Sequence, residues 1–301
     1  MKKKWSRRIL IVGCGDVIRR VLPELLQRWH VLALVRTRDP RLTALGVRQI
    51  EGNLDQPATL RRLAGIADAV IHSAPPPAEG QTDSRTTHLL SALRRGKSLP
   101  RQIVYISTSG VYGNSQGAVV SETRPLATKS ARAIRRVDAE RRLRAFACRG
   151  GRHIGHHNCC VSILRAPGIY AADRLPLERL RQGLPLFVPE QDSHTNHIHA
   201  ADLGRACLAA LHRGRPNRTY NVSDDSVFLM GEWFDLLADS FALPRAPRLP
   251  RETVQQRVSP LQWSFMSESR QLDNTRMKRE LGLRLCYPTV ATGIKETSCS
   301  G

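Results

Sequence analysis

The feature that most constrains this chain is a regular alternation of short apolar runs with helix-like segments through its first half. The apolar runs predict strands at residues 8–12, 31–35, 47–51, 69–72, 103–107 and 161–164. Leu, Ala and Val at helical spacing predict helices at residues 16–28, 56–63, 83–95 and 129–148. Strands separated by helices build βαβ units with parallel strands. The pattern therefore predicts an α/β fold with a doubly wound parallel sheet.

A glycine-containing turn directly follows the first predicted strand and opens the first predicted helix. It reads Gly13, Cys14, Gly15, Asp16, Val17 and Ile18. In the dinucleotide fingerprint G-x-G-x-x-G, the first glycine makes the tight turn, the second admits a pyrophosphate, and the third lets helix and strand pack closely. Ile18 stands in the third glycine's place, where a β-branched side chain should push the helix away or require repacking. We expect a phosphate cradle here, with a purely structural turn as the alternative.

The residues after the second predicted strand indicate which dinucleotide fits. An acidic side chain there would accept hydrogen bonds from the adenosine ribose of NAD, whereas arginine can pair with the 2′-phosphate of NADP. The chain has Arg36 and Arg38 at this place. We expect NADP as the cofactor, with Arg36 as the main contact, Arg38 as a second candidate, and NAD as the alternative. Two surface arginines in an arginine-rich chain are the competing interpretation.

The second half of the chain is less regular. Prolines 167, 176, 185 and 189 exclude one long element there and indicate the start of a smaller domain. A helix at residues 200–212 and a strand at 219–222 are predicted to return to the main sheet, followed by a helix near 230–241. Residues 243–260 are rich in Pro and Arg and are expected to form an irregular linker. The expected division is a dinucleotide-binding domain at residues 1–165 and 197–228, and a smaller C-terminal substrate domain at residues 166–196 and 229–301.

Six short segments follow one another along the chain in a recognisable order. They are residues 9–15, 52–55 (Gly-Asn-Leu-Asp), 72–75 (His-Ser-Ala-Pro), 107–113 (Ser-Thr-Ser-Gly-Val-Tyr-Gly), 164–170 (Leu-Arg-Ala-Pro-Gly-Ile-Tyr) and 197–202 (His-Ile-His-Ala-Ala-Asp). Together they resemble landmarks of the NAD(P)-dependent epimerase/dehydratase branch of the short-chain dehydrogenase/reductases. The resemblance runs from about residue 8 to residue 295 and implies a Rossmann fold that binds a nicotinamide dinucleotide.

The resemblance also implies contacts with the cofactor. It places Asp55, which follows Leu54, near the adenine. It places Ala74 and Pro75, which follow Ser73, along the path to the nicotinamide. The structural alternatives are a turn aspartate and a bend at the end of a strand.

The catalytic positions depart from the family pattern. By the resemblance, Thr108 takes the place of the Ser/Thr that hydrogen-bonds the reacting substrate oxygen, although its hydroxyl could equally satisfy the backbone. The family's Tyr-x-x-x-Lys is absent, because no tyrosine has Lys four residues later. Arg132 and Arg136 align with those two positions, and a guanidinium cannot act as a base near neutral pH. Thr108 and Tyr112 are therefore the candidate catalytic residues, with a histidine as an alternative to Tyr112.

Three functions compete. The first is an epimerase/dehydratase-like or reductase-like enzyme whose small-molecule substrate is unknown, a sugar nucleotide being one candidate. The second is a non-catalytic NADP(H)-binding regulator or redox sensor, which the missing dyad favours. The third is a nucleic-acid-binding protein, which rests on a formal net charge of +21 from 47 Lys and Arg against 26 Asp and Glu. The arginines are spread along predicted helices, so no specific nucleic-acid partner is expected.

Further expectations concern location, metals and assembly. Apolar runs far shorter than the roughly 20 residues of a membrane helix predict no membrane partner. The basic residues 1–8 resemble the start of a signal peptide, but the short apolar run after them fits a first strand better. Seven cysteines without a C-x-x-C pair favour the cytoplasm. The His and Cys residues within 153–160 lack zinc-site spacing, so no metal is expected. The oligomeric state stays open, a homodimer being one alternative.

Overall fold

Seven parallel strands form the central sheet of the computed structural model, which describes residues 7–96, 98–150 and 159–298. These strands are β1 (Arg8–Val12), β2 (His30–Val35), β3 (Arg48–Glu51), β4 (Ala69–His72), β5 (Gln102–Thr108), β6 (Cys160–Ala166) and β7 (Arg218–Asn221). Their spatial order is β7-β6-β5-β4-β1-β2-β3. The chain therefore moves outward from β1 and then returns to β4 on the other side. The crevice at the carboxyl ends of β1 and β4 is the topological switch point, where such sheets bind ligands.

The predicted strands agree with the observed ones to within two residues at each end. The agreement has a physical cause. Strands covered on both faces by helices are continuous apolar runs, as in β1, where residues 9–12 are all fully buried. The expectation of a doubly wound parallel sheet is confirmed.

The helices differ widely in length. They are α1 (Asp16–Arg28), α2 (Pro40–Ala44), α3 (Ser84–Arg94), α4 (Ala131–Gly150), α5 (Leu177–Arg181), α6 (Ala200–Arg213), α7 (Met230–Ser240), α8 (Arg251–Arg257), α9 (Pro260–Met266), α10 (Thr275–Leu281) and α11 (Val290–Ser298). The segment Pro57–Leu63 is a 3-10 helix. Its buried Leu60 and Leu63 repeat at the three-residue spacing of that helix.

Short strand pairs lie outside the central sheet. They are Val119–Val120 with Gln271–Leu272, Gly168–Tyr170 with His197–His199, Leu186–Phe187 with Arg248–Leu249, and His194–Thr195 with Phe228–Leu229. The expectation of an irregular linker at residues 243–260 is wrong. Arg248–Leu249 pairs with another strand, and α8 begins directly after Pro250 and buries Val254. Proline is well tolerated beside a helix start, so a proline-rich composition does not exclude a helix here.

Three large apolar clusters, with a small fourth one at Val111, Tyr112 and Val120, make up the core of the described residues. One lies between the sheet and the α1/α6 face, and the second between the sheet and the α3/α4 face. The third packs Tyr170, Phe187, Trp233, Leu237 and Val254 against one another away from the sheet. This third cluster gives the segments expected to form the smaller domain a core of their own, while the boundaries of that domain stay a prediction.

Neither a membrane-spanning helix nor a metal-binding cluster is found in the described ranges. No helix there has both the length and the apolar composition needed to cross a membrane. In the same ranges, no cluster of three or more His, Cys, Asp or Glu side chains is arranged to hold a metal ion. His153, His156 and His157 lie outside the described residues.

Helices α1 and α6 approach each other closely at Gly204. A Cβ atom added to Gly204 of α6 would lie 2.7 Å from Cγ1 of Val21 and 2.9 Å from the carbonyl oxygen of Val17. Both neighbours belong to α1, whose first turn carries the predicted phosphate cradle. The missing side chain at residue 204 therefore sets the distance between the two helices.

We expect Gly204→Ala to lower the free energy of unfolding by about 1–3 kcal/mol, because it overpacks this contact. Ala in place of Gly inside a helix ordinarily stabilises by about 1 kcal/mol, so the sign is diagnostic. Urea unfolding followed by far-UV circular dichroism gives the measurement. In a double-mutant cycle, Val21→Ala should offset part of the loss. A stabilised Gly204→Ala variant would show that the helices are not in close contact.

Candidate functional site

Two adjoining cavities open at the carboxyl ends of the central strands. The larger cavity, of about 500 Å³, is lined by Gly13, Gly15, Asp16, Val17, Ile18, Ser73, residues 75–78, residues 106–108, Arg132, Arg135, Arg136, residues 166–167, Ile169, Arg174 and Phe265. The smaller cavity, of about 220 Å³, is lined by Val12, Gly13, Leu34, Arg36, residues 52–55, Ala74, Pro75 and Arg85. Gly13 and Pro75 line both, so the two cavities form one continuous cleft at the switch point.

Most of the candidate residues line this cleft. Of the cofactor candidates, Gly13, Gly15, Asp16, Val17, Ile18 and Ser73 line the larger cavity, Arg36, Leu54, Asp55 and Ala74 line the smaller one, and Pro75 lines both. Thr108 lines the larger cavity as well. Cys14, Arg38 and Tyr112 line neither.

The turn between β1 and α1 can be made only by glycine at its first position. Gly13 has φ +92°, and a Cβ there would lie 2.5 Å from the backbone nitrogen of Ala74. The hydroxyl of Ser73 donates to the Gly13 carbonyl at 2.5 Å and fixes the turn to the end of β4. A Cβ on Gly15 would meet nothing within 4 Å. The start of α1 therefore faces open space, as a phosphate cradle requires.

Asp16, the first residue of α1, forms ion pairs with two arginines. Its carboxylate binds Arg20 and Arg174, each at 2.9 Å. Burial acts to raise the pKa of Asp16, but the hydrogen bonds from these arginines outweigh it and the pKa is lowered. The carboxylate therefore stays charged at neutral pH and cannot supply a proton to a ligand.

Ile18 is accommodated by packing. Its side chain is completely buried in the apolar cluster between the sheet and α1, together with Ile11, Val21 and Leu22. The surroundings have adapted to the larger side chain, which is the repacking alternative expected from the sequence. The larger residue therefore does not keep the α1 start out of the cleft.

Only one of the two candidate arginines after β2 lines the smaller cavity. Arg36 is exposed and lines the cavity. Arg38 points elsewhere, because its Nε donates to Glu51 at 2.5 Å. The expected contact of Arg38 with a cofactor phosphate therefore lacks support from its position.

Asp55 is engaged by a residue that the sequence did not single out. Arg85, in the first turn of α3, makes two hydrogen bonds of 2.7 Å to its carboxylate and a third, of 3.2 Å, to the Pro75 carbonyl. The hydrogen bonds from Arg85 lower the pKa of Asp55. Arg85 thus ties the Asp55 side of the smaller cavity to the bend after β4. No local motif marks it, because its partners are 10 and 30 residues away.

Thr108 lies where β5 ends, beside the start of α4. Its Oγ1 accepts a hydrogen bond of 3.2 Å from the backbone nitrogen of Gly110. A Cβ on Gly110 would lie 3.7 Å from the Cβ of Ala133, so the first turn of α4 packs directly on this turn. Because Oγ1 accepts from the backbone, the hydroxyl hydrogen of Thr108 stays available to a ligand.

Three arginines of α4 face the same cavity. Arg136 donates from Nη1 to the Tyr105 hydroxyl and the Ile106 carbonyl, both at 2.9 Å. Arg135 donates to the Gly80 carbonyl at 2.7 Å. The guanidinium of Arg132 lies over the Phe265 ring, 3.7 Å from its centroid. Arg135 and Phe265 were not anticipated as site residues. Helical spacing from Arg132 would have suggested Arg135, whereas Phe265 comes from a remote helix.

The structure does not support Tyr112 as a proton donor, and this corrects the expectation from the sequence. Its side chain is 1% exposed. Its hydroxyl donates to Oδ1 of Asn221 at 2.6 Å and accepts from Arg165 at 2.9 Å. Burial raises the pKa of the Tyr112 hydroxyl. Tyr112 therefore belongs to a buried polar network behind the cavity wall and has no access to a substrate.

Comparisons with known proteins agree with this architecture. Residues 9–223 match the family described as "NAD dependent epimerase/dehydratase family". A functionally unknown conserved protein from Silicibacter pomeroyi is 25% identical, with 98% of this chain and 99% of that chain covered and a TM-score of 0.77. MoeE5 in complex with UDP-glucose and NAD is 23% identical (97% and 99% covered, TM-score 0.72). UDP-glucose 4-epimerase from Thermotoga maritima is 18% identical (96% and 97% covered, TM-score 0.75). No curated protein matches the sequence.

We expect Tyr112→Phe to lower the free energy of unfolding by about 1–3 kcal/mol, because Asn221 and Arg165 would each lose a buried hydrogen-bond partner. Dinucleotide affinity should not change. The matched control is Thr108→Val, which removes the hydroxyl that faces the cavity and leaves the buried network intact. Unfolding curves and calorimetric titration of both variants provide the data. Unaltered stability of Tyr112→Phe together with a changed ligand affinity would return Tyr112 to the site.

Proposed function

The chain belongs to the NAD-dependent epimerase/dehydratase family, and from this premise we propose that it binds NADP(H) in preference to NAD(H) and uses it on a small molecule held in the larger cavity. The observation that carries the proposal is the position of Arg36. It is exposed at the mouth of the smaller cavity, where a guanidinium can pair with a 2′-phosphate, and no acidic residue follows β2 at that point.

The residues of the cleft fit such a dinucleotide. Gly13 makes a turn into which no side chain would fit, and Gly15 leaves the start of α1 open. The free N–H groups of that first turn suit a pyrophosphate. Leu54 and Asp55 line the smaller cavity, where the adenosine would lie. When bound, the nicotinamide would exchange a hydride with a substrate carbon.

The chain's own residues offer charge stabilisation and little proton transfer. Thr108 can donate a hydrogen bond to a substrate oxygen. Among the described residues that line the larger cavity there is no Tyr, His, Lys or Glu, and the one Asp is held in ion pairs. A general acid or base works best with a pKa near the operating pH, and arginine does not meet that condition. We therefore propose slow chemistry, or chemistry that requires no proton exchange with the protein.

Two alternatives for the function remain. The complex of MoeE5 with UDP-glucose and NAD supports a sugar nucleotide as a candidate substrate. The described residues that line the larger cavity include no Tyr, His, Lys or Glu, which favours the second function, an NADP(H)-binding regulator without turnover. Both functions require the same cofactor cleft.

Calorimetric titration should show tighter binding of NADP than of NAD. Arg36→Ala should weaken NADP binding by about tenfold or more, since a hydrogen bond to a charged group contributes about 1.5–3 kcal/mol, and should leave NAD binding nearly unchanged. Arg38→Ala is the control, because Arg38 is paired with Glu51. Equal affinities of the native chain for the two dinucleotides, or equal losses in the two variants, would contradict the assignment.

Hydride transfer to alcohol, ketone or sugar-nucleotide substrates should be absent or slower than the usual enzymatic range of about 1–10³ s⁻¹. NADPH absorbance with a substrate panel provides the measurement. The comparison variant is Arg132→Tyr/Arg136→Lys, which introduces the family's pair. Turnover well within that range by the native chain would show that a proton donor outside the described lining serves the reaction. NADP binding without any turnover would favour the regulator.

A further inference from the structure

The arginines of α4 carry more positive charge into the larger cavity than the surrounding protein neutralises. Among the described lining residues, the only carboxylate is Asp16, which is already paired with Arg20 and Arg174. Glu268 lies near Arg132 but is paired with Arg270. The arginine side of the cavity therefore lacks an anion of its own.

Arg135 is buried with unused hydrogen-bonding capacity. The residue is 7% exposed. Nη1 donates to the Gly80 carbonyl, and Nε has no hydrogen-bond partner. Burying a guanidinium is costly unless an anion or a set of acceptors complements it. The cavity that Arg135 lines is where such an anion would fit.

Arg132 is oriented by stacking. Its guanidinium lies 3.7 Å from the centroid of the Phe265 ring, and the structure gives it no hydrogen bond to a described residue. A stacked guanidinium keeps its N–H edge free for a planar or tetrahedral oxyanion. Arg132 is one helical turn from Arg135 and Arg136, so the three side chains leave α4 on one face.

The geometry points to a binding site in the larger cavity for an oxyanion group, a carboxylate or a phosphate, held by Arg132 and Arg135 with the Thr108 hydroxyl facing it. The substrate class is then a small molecule that carries such a group close to its reacting carbon. The assignment of this group to the substrate rests on the proposed function, in which the turn at Gly13 and Gly15 holds the cofactor's pyrophosphate. Arg136, already bonded to Tyr105 and Ile106, forms the floor of the site.

The test uses the full chain saturated with NADP, so that the phosphate cradle is filled, and titrates inorganic phosphate or malonate at constant ionic strength. Arg132→Gln should weaken binding of the preferred anion by about tenfold or more, as expected for loss of a charge-assisted hydrogen bond. Arg141→Gln removes the same charge from an exposed position two turns further along α4 and should change the affinity by less than about threefold. The ratio of phosphate to malonate affinity identifies which group the site prefers.

NADP affinity, measured in the same three proteins, separates this inference from the proposed function. An unchanged NADP affinity in Arg132→Gln together with weakened anion binding supports the site. Equal anion binding by the native chain and Arg132→Gln, no anion binding at all, or equal losses in Arg132→Gln and Arg141→Gln would overturn it. Weakened NADP binding with unchanged anion binding would also overturn it, since the arginine would then serve the cofactor. If NADP fails to bind the native chain, the proposed function fails, and the anion titrations of the free proteins decide the site alone.

Discussion

The buried ion pair between Arg165 and Glu140 is the interaction on which the cavity wall depends. Both side chains are 3% exposed, and they share hydrogen bonds of 2.7 and 3.1 Å. Ser107 donates to Glu140 at 2.6 Å, and Tyr112 joins Arg165 to Asn221. Strands β5, β6 and β7 and helix α4 thus meet in one polar network. Removal of one charge would leave the other buried and unpaired, which typically costs about 3–5 kcal/mol. Because α4 also carries Arg132 and Arg135, the network that stabilises the fold is what positions the site.

The regular part of this architecture could be predicted from the sequence, because local signals encode it. The bounds of β1 and α1 match the prediction, since a fully buried strand, a glycine turn and an amphipathic helix each have a signature within a few residues. What was missed depends on contacts between distant segments. Arg85 hydrogen-bonds Asp55, Phe265 stacks on Arg132, and Tyr112 hydrogen-bonds Asn221, a residue more than a hundred positions away. Likewise, the order in the proline-rich segment rests in part on the pairing of Arg248–Leu249 with the distant Leu186–Phe187. The sequence could not show that Arg38 is engaged elsewhere for the same reason, because its partner Glu51 lies on another strand.

One helical face determines the charge of the larger cavity. The chain has the fold of the NAD-dependent epimerase/dehydratase family, to which it belongs. The face of α4 that lines the cavity carries the guanidinium groups of Arg132, Arg135 and Arg136. A phenol with a lowered pKa exchanges a proton, whereas a guanidinium holds its protons and attracts negative charge. Retention of a fold therefore says little about the reaction, and the side chains of a single helical turn determine what the cleft can do.

The close contact at Gly204 also bears on the order in which the molecule can assemble. Helix α1 directly follows the first sheet strand, whereas α6, which packs against it at Gly204, follows the sixth of the seven sheet strands in the chain. A contact of such high sequence separation requires the closure of a very long loop, and it is rewarded only once the intervening sheet exists. We therefore expect the β1–α1 turn to gain the support of α6 only after most of the sheet has formed. Dinucleotide affinity would thus report on the completeness of the whole sheet as well as on the turn that the ligand touches.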